Sequence, residues 1–354
     1  MGKILIINLG KHYGGAEKLI ESLTDIEDTL LALNKDNEFS QLMLKNKKKV
    51  LLCSTQKKDL VKTVISLYRY IKKYEIDIIH CHGIPSNIVG YLLKKIVNVK
   101  VITTIHSDLD YDFSGLKRII YMKIEKYLIP KFDSVIVVSE DLNKKVSSRN
   151  KNNKTKIIYN GVEHGIYEKS VLPTFQNKLT TFLMVGRLTK VKNHKLLLKV
   201  CKEIKMDNYK VVIIGEGEER KNIEQFIKEN KLEKHIELLG FKDNVSEYMT
   251  KCDALILTSI MEGIPLVILE AFSQKLPVIS SNVGGIGEII TNEENGLLFA
   301  SNDYIQLKNI MEKIINKEID MEKISNKALE DFNMKWSKNI MLNRYKEEYN
   351  LLRK

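Results

Sequence analysis

The chain has 354 residues, 44% of them hydrophobic and 29% charged, with a formal net charge of +12. That length supports two domains, each with its own core, in an ordinary soluble globular protein. No apolar run approaches the roughly 20 residues of a membrane span, and the four cysteines, at 53, 81, 201 and 252, form no closely spaced pair, so reduced thiols in a cytoplasm are expected rather than a disulfide framework or zinc site. The charge is uneven. Residues 1–170 carry 29 Lys+Arg against 19 Asp+Glu, and residues 171–354 carry 28 against 26. Codon bias would load both halves alike, so the basic first half suits an anionic partner: a membrane surface, a lipid pyrophosphate or nucleic acid.

Lys3 to Asn8 is an apolar run, too short for a secretory signal, and reads as a first strand. The loop Leu9 to Glu17 follows. Its Gly14-Gly15 pair allows close backbone approach to a ligand before a helix that starts near Ala16. From Thr24 to Lys49 the pattern blurs, because the polar run Asn34 to Glu38 and the cluster Lys45 to Lys49 intervene before Val50-Leu51-Leu52-Cys53. A helix over Leu60–Tyr74 and a strand Ile76–His80 come next, then the loop Cys81-His82-Gly83 and a helix Ser86–Ile96. His80 and His82 share a strand face but have no third ligand nearby, so a metal site is disfavoured and His82 is expected to line a cleft. Val99 to Ile105 is a strand that ends in Thr104-Ile105-His106, and Leu109–Ser114 reads as a flexible loop. The segment Leu116 to Ile129 is a basic helix. Its stripe of Ile120, Ile124, Tyr127 and Leu128 reads as core-facing, the competing reading being an interfacial helix on anionic lipid. Strands over Asp133–Ser139 and Lys156–Val162 precede a linker, Glu163 to Lys178, that contains Pro173.

The second half opens with the strand Phe182 to Leu188 and the loop Thr189 to Asn193. Here Arg187 offers a planar fork of donors and Lys192 a point charge, which suits a diphosphate. Val211 to Gly217 begins like a dinucleotide fingerprint, but Arg220 stands at the third glycine and no dehydrogenase reading survives. Ile236–Leu239 is a strand, followed by Gly240-Phe241-Lys242. Next comes a strand–loop–helix–strand unit: Ala254-Leu255-Ile256-Leu257, the loop with Glu262-Gly263-Ile264, a helix begun by Pro265, and Pro277-Val278-Ile279-Ser280. Pro265 fits the first helical position. The amides around Gly263, Ile264, Pro265, Leu266 and Val267 form a helix start that attracts anions and hydroxyl oxygens, with Glu262 and Glu270 framing it.

Glu262 and Glu270 form a Glu-x7-Glu pair within E-G-x-P-x4-E-A. This resembles the donor-binding motif of the retaining, nucleotide-sugar-dependent glycosyltransferases of family 4, although Ile264 and Pro265 stand where the family usually has an aromatic and a second glycine. The resemblance extends to G-G-A-E at Gly14 to Glu17, H-x-H-G at His80 to Gly83, and T-x-H at Thr104 to His106. It includes I-x-N-G-V at Ile158 to Val162 and G-R-L-x3-K-N at Gly186 to Asn193. It continues through G-G-x-x-E at Gly284 to Glu288 and N-G-L-L-F at Asn295 to Phe299. It implies an α/β chain of GT-B fold, two Rossmann-like domains whose parallel sheets face each other across a cleft. Residues 1–165 would form an acceptor-binding domain and 166–335 a nucleotide-sugar domain, with 336–354 a helix that crosses back onto the first. It further implies sugar transfer, with retention, from a nucleotide diphosphate sugar, expected to be a UDP-sugar, to a saccharide or lipid-linked acceptor in cell-surface polysaccharide assembly. A GT-B-fold epimerase acting on UDP-N-acetylhexosamine is the alternative.

By the same resemblance, Gly14 and Gly15 face the donor phosphates, His106 meets the transferred sugar, and Arg187 and Lys192 neutralise the leaving pyrophosphate. Gly215 and Gly217 lie near base and ribose, and Lys242 with its neighbours meets the base. Glu262 orients the sugar, and Glu270 holds the ribose hydroxyls. No metal and no cofactor are expected to be required, and nucleic acid is not expected as a partner because no basic-aromatic ladder appears. A cytoplasmic enzyme, peripheral on the inner membrane face, completes the expectation.

Overall fold

The computed structural model describes residues 2–10, 14–113, 115–149, 155–165 and 179–354. The chain divides into two compact units, Met1–Asn160 with Asn339–Lys354, and Gly161–Lys338.

The first unit is built on a parallel sheet. Its strands are β1 (Lys3–Asn8), β2 (Thr29–Asn34), β3 (Val50–Cys53), β4 (Ile76–His82), β5 (Lys100–Ile105), β6 (Ser134–Val137) and β7 (Thr155–Ile157), in the order β3-β2-β1-β4-β5-β6-β7. They read as unbroken apolar runs because helices cover both faces. Between them run α1 (Gly15–Leu23), α2 (Glu38–Lys45), α3 (Leu60–Tyr74), α4 (Ile84–Ile96), the short α5 (Leu109–Asp112), α6 (Gly115–Leu128) and α7 (Glu140–Arg149). Alternate strand residues point to opposite faces, so the sheet carries two cores. One gathers Leu5, Ile7, Ile79 and Val101 with Leu67 of α3, Leu93 of α4 and Leu128 of α6. The other gathers Ile4, Ile6, Ile78 and Ile102 with Leu19 of α1 and Phe39 of α2. The winding reverses at the centre, where β1 pairs with β2 on one side and β4 on the other. Open α/β sheets take ligands at the carboxyl ends of the strands at such a reversal.

The second unit repeats the plan with β8 (Thr180–Val185), β9 (Tyr209–Ile214), β10 (Ile236–Gly240), β11 (Ala254–Leu257), β12 (Val278–Ser281) and β13 (Leu297–Phe299), in the order β10-β9-β8-β11-β12-β13. Its helices are α8 (His194–Glu203), α9 (Arg220–Glu229), α10 (Val245–Met249), α11 (Leu266–Ser273), α12 (Ile286–Ile289), α13 (Tyr304–Ile315) and α14 (Met321–Asp331). The reversal falls between β8 and β11, which pair through Phe182 and Ala254. The final helix, α15 (Lys338–Arg353), buries Met341, Leu342, Tyr345 and Tyr349 in the core of the first unit beside Ile4 and Ile78. Arg353 Nε is held 2.7 Å from Asp77 Oδ2.

Four local expectations are corrected. The blurred region contains β2, whose sequence Thr-Leu-Leu-Ala-Leu-Asn has little β-branching to mark it, and α2, opened by Asn37 accepting from Phe39 N. Leu109–Asp112 forms a helical turn rather than a loop, with Asp108 accepting from Asp110 N at its start. β4 runs on through His82, which is therefore a strand residue. The apolar stripe of α6 splits: Leu128 is buried and Ile124 packs against the same core, whereas Ile120 and Tyr127 are exposed, so only part of the stripe faces the core. The candidate linker falls largely on residues 166–178, Pro173 among them, outside the described residues.

Candidate active site

In the second unit, the loops after β8 and β11 carry the expected donor residues, and hydrogen bonds stitch them together. Thr258 Oγ1 donates to the carbonyls of Lys192 and Asn193, each at 3.0 Å, and Ile260 N donates to Val191 O at 2.9 Å. These bonds bring Lys192 Nζ to 2.5 Å from Glu262 Oε1, and Ser259 Oγ donates to the same oxygen at 2.6 Å. Ser281 Oγ, at the end of β12, donates to Ser259 O at 2.5 Å and fixes the loop from the other side. Arg187, on the same loop as Lys192, is exposed, and its guanidinium has no partner among the described residues.

Two glycines make this packing feasible. A Cβ on Gly215 would lie 1.9 Å from Gly186 O, so only glycine lets the loop after β9 approach the loop after β8. Gly284 has φ +54, and a Cβ there would lie 1.9 Å from Glu262 O, so it sets the backbone beneath Glu262. Gly217 also packs against backbone, where a Cβ would lie 2.4 Å from Leu188 O, and Gly215 N donates to Gly240 O at 2.9 Å, which brings the turn before Lys242 beside the same cluster. Phe241 projects there with 75% exposure.

The α11 helix begins at Leu266, with Pro265 extended (φ −72, ψ 118) at the capping position, one residue earlier than the expected first helical position. Among the described residues no side chain caps this start. A helix start turns the backbone N–H groups of its first turn outward, which here include those of Leu266 and Val267. Gly263 is exposed and Ile264 buried in the turn that leads in, and Glu270 is half-buried on α11.

In the first unit, Glu17 shapes the loop after β1. It is buried, accepting from Asn8 Nδ2 at 2.9 Å and from Gly14 N at 2.9 Å, while Asn8 Oδ1 accepts from Gly10 N at 3.0 Å. Asn34 and Asn37 both donate to Gly10 O. Gly14 and Gly15 are exposed at the start of α1, and Gly15 is its first residue. Lys11, His12 and Tyr13 lie outside the described residues.

The carboxyl ends of β4 and β5 carry three histidines. His82 Nδ1 is hydrogen-bonded to His106 Nε2 at 2.7 Å, and the rings stack at 27°. His80 Nδ1 is bonded to Tyr349 Oη at 2.7 Å and its Nε2 to Thr104 Oγ1 at 2.8 Å. Thr104 Oγ1 also meets Tyr345 Oη at 3.3 Å, so α15 supplies two hydroxyls to this network. Burial, then His106, lowers the pKa of His80 to about 3, and burial lowers that of His106 to about 4. Burial, then His80 and His106, pushes that of His82 well below the usual value. All three are neutral imidazoles at physiological pH, suited to hydrogen bonding rather than to carrying charge. Both nitrogens of His80 are taken by hydroxyls, which leaves it no lone pair for a metal. His82 is only 2% exposed and sits behind His106 instead of lining a cleft. Its Nε2 is buried with no partner among the described residues.

The structure thus assembles Arg187, Lys192, Gly215, Gly217, Glu262, Gly263 and Ile264 at the ends of β8, β9 and β11, with Lys242 following β10 and Pro265, Leu266, Val267 and Glu270 at α11. Gly14, Gly15 and His106 belong to the first unit. Sequence reasoning gave no role to Glu17, Asn8, Ser259, Thr104 or Tyr349. The capping pattern from Gly14 to Glu17 was a usable signal for the first. The hydroxyls of α15 had none, because 269 positions separate Tyr349 from His80. His194, buried directly after Lys192 and Asn193, was also missed, and burial lowers its pKa to about 4.

Paired Rossmann-like units with glycine-packed loops, a cation pair and a Glu-x7-Glu loop and helix define a glycosyltransferase of the GT-B class. The description "Glycosyl transferases group 1" matches residues 169–331, and "Glycosyltransferase Family 4" matches residues 31–165. An uncharacterized glycosyltransferase of Methanocaldococcus jannaschii is 32% identical over 92% of this chain and 90% of its own. The chain therefore belongs to the family 4, group 1 glycosyltransferases. An Escherichia coli UDP-Gal:alpha-D-GlcNAc-diphosphoundecaprenol alpha-1,3-galactosyltransferase is 29% identical over 77% of this chain and 76% of its own. The crystal structure of Anabaena HepE in complex with UDP superposes with a TM-score of 0.88 at 20% identity, over 98% of this chain and 99% of that one, a likeness of fold. Among the described residues no helix is long and apolar enough to cross a membrane.

Proposed function

We propose that this glycosyltransferase moves a sugar from a UDP-sugar to a hydroxyl of a lipid-linked saccharide, with retention of anomeric configuration, in the assembly of a cell-surface polysaccharide. The observation that carries the reading is the Lys192–Glu262 contact beside the open start of α11, with Arg187 exposed on the same loop. Arg187 and Lys192 offer the charge that a diphosphate needs, and the α11 amides offer hydrogen bonds to phosphate or sugar oxygens. The names of the Escherichia coli relative and the Anabaena structure, which contain UDP-Gal, a diphosphoundecaprenol-linked acceptor and UDP, support the choice of nucleotide and acceptor class.

In this reading, Glu262 orients the transferred sugar and stabilises positive character at the anomeric carbon. Glu270 accepts from the ribose hydroxyls, Gly215, Gly217 and the turn before Lys242 adjoin ribose and base, and Gly14 and Gly15 approach phosphate. His106, a neutral imidazole braced by His82, bonds a sugar hydroxyl. The acceptor oxygen attacks from the face the diphosphate leaves. The C–O bond to the phosphate breaks as the bond to the acceptor forms, and the hydroxyl proton passes to the departing UDP. Two cations at the diphosphate replace a metal, so a chelator should leave turnover unchanged. The test is release of UDP, followed by chromatography, from a panel of UDP-sugars with and without a polyprenyl-diphosphate-linked saccharide. Acceptor-dependent release is expected. Isomerised donor formed without acceptor would instead mark an epimerase.

A further inference from the structure

His82 ends β4 between two neighbours in register, Asn8 on β1 and Thr104 on β5. Residues in register point to the same face of a sheet, so these side chains surround the imidazole. Their polar groups are already committed. Asn8 Nδ2 donates to Glu17 Oε1, and Asn8 Oδ1 accepts from Gly10 N. Thr104 Oγ1 meets His80 Nε2 and Tyr345 Oη, and His80 Nδ1 meets Tyr349 Oη. The ring of His80 lies over that of His82 with centroids 4.3 Å apart. His82 uses Nδ1 on His106 Nε2 at 2.7 Å, while its buried Nε2 finds no partner among the described residues.

Burial keeps both His82 and His106 neutral. A neutral imidazole has one N–H and one bare nitrogen, so a single proton lies between the two rings and it can belong to either. If His106 Nε2–H donates, His82 Nδ1 is bare and the His82 proton must sit on Nε2, a buried N–H with nothing to receive it. If His82 Nδ1–H donates, Nε2 is left as a bare lone pair. An orphaned buried N–H is the rarer outcome in native proteins than an acceptor left unmatched, so the second arrangement is favoured. It makes His106 Nε2 the acceptor and sends the His106 proton to Nδ1. His106 is half-buried, and its Nδ1 has no partner among the described residues, so this is the nitrogen left for a ligand. The hydrogen bond made by one ring nitrogen thereby sets what the other can do.

We propose that His82 is a positioning residue that fixes His106 as its Nδ1–H tautomer, so that His106 presents a hydrogen-bond donor, and not a base, to its ligand. A donor at this point recognises the lone pair of a sugar hydroxyl oxygen. In the proposed sugar transfer, on which this consequence rests, the hydroxyl accepts from His106, and the proton of the attacking acceptor goes to UDP instead of to the imidazole. The tautomer itself does not rest on that reading, because it is set within the first unit by residues of β1, β4 and β5.

The test is proton–nitrogen correlation NMR of the free full chain, labelled with nitrogen-15 histidine, at neutral pH. The chain has seven histidines, and loss of one ring system in His106→Gln assigns the signals of interest. A protonated ring nitrogen resonates far upfield of a bare one, so each ring reports its own tautomer. In wild type, His106 should show a protonated Nδ1 and a bare Nε2, and His82 the same. In His82→Ala the vacated polar space admits water, which can donate or accept. His106 should then mix tautomers, and its two nitrogen shifts should move toward each other. The wild-type spectrum is decisive by itself if the variant folds poorly. A wild-type His106 protonated at Nε2, averaged His106 shifts in wild type, or an unchanged His106 pattern in a folded His82→Ala would overturn the proposal. No donor or acceptor is present, so such a result leaves the UDP-release experiment untouched, and the two readings fail separately.

Discussion

Lys192 and Glu262, 70 positions apart in sequence, meet at 2.5 Å with their side chains mostly sheltered from solvent. The cation expected at the diphosphate and the carboxylate expected at the sugar are therefore one unit. Adjacent strands β8 and β11 create it, and Thr258 ties the two loops that carry it. Removing Lys192 takes away the proposed phosphate donor and also leaves Glu262 with Ser259 as its remaining close side-chain partner among the described residues.

Replacing Arg187 or Lys192 with Ala should weaken UDP binding by roughly 1–3 kcal/mol each, the range for hydrogen bonds to charged groups. UMP, which lacks the second phosphate, should be affected less. Because Lys192 also holds Glu262, the Lys192→Ala and Glu262→Ala effects on turnover should be non-additive by about 0.5–3 kcal/mol in a double-mutant cycle. Calorimetry that finds equal UDP affinity in wild type and the Arg187–Lys192 double variant would remove the diphosphate role.

Glu262 and Glu270 should separate kinetically. Glu270→Ala should mainly raise the donor Kd, since ribose bonds are made equally in ground and transition states. Glu262→Gln should lower kcat more than it changes donor affinity. A Glu262 variant with full turnover would end its assignment.

The buried histidines make stability depend on pH. Each is lowered below its unfolded value of 6.5, to about 3 for His80 and about 4 for His106, mainly by burial. Below pH 6.5 the unfolded chain takes up protons that the folded chain refuses. The stability is thus fully present above about 6.5 and is lost as pH falls toward the folded values, at roughly 1.4 kcal/mol per unit for each histidine. Urea unfolding at pH 7.5, 6.5 and 5.0 should show this slope, and His80→Asn should flatten it by about one histidine's share. A slope identical to wild type in that variant would contradict the burial argument.

The folded plan was largely legible in sequence because parallel strands buried on both faces appear as short aliphatic runs, as in Ile4 to Ile7 and Val211 to Ile214. Thr29–Asn34 escaped notice since Leu and Ala favour helix as readily as strand. Within the candidate site, residues that share a loop, such as Arg187 and Lys192, could be grouped from spacing. Their partners across strands could not, because the Lys192–Glu262 pair depends on strand order. The stripe of α6, half of it turned outward, misled for a related reason. Periodicity reveals that a helix has an apolar face, and only packing decides which way that face points.

Tyr349 should matter more than a surface helix residue. Tyr349→Phe leaves His80 Nδ1 buried without its partner, at a cost of about 1–3 kcal/mol in unfolding free energy. Lys346→Ala, exposed on the same helix, should cost less than about 0.5 kcal/mol. Equal denaturation midpoints for Tyr349→Phe and wild type would show that α15 is not anchored through this bond.

The most direct test follows the anomeric carbon through the reaction. The protein is incubated with carbon-13-labelled, α-linked UDP-sugars and a polyprenyl-diphosphate-linked saccharide, and the product is read by NMR. The proposed function predicts a labelled sugar joined to the acceptor in α configuration, with UDP released in equal amount and nothing formed without acceptor. A β-linked product, or a labelled sugar isomerised in the absence of acceptor, would contradict it.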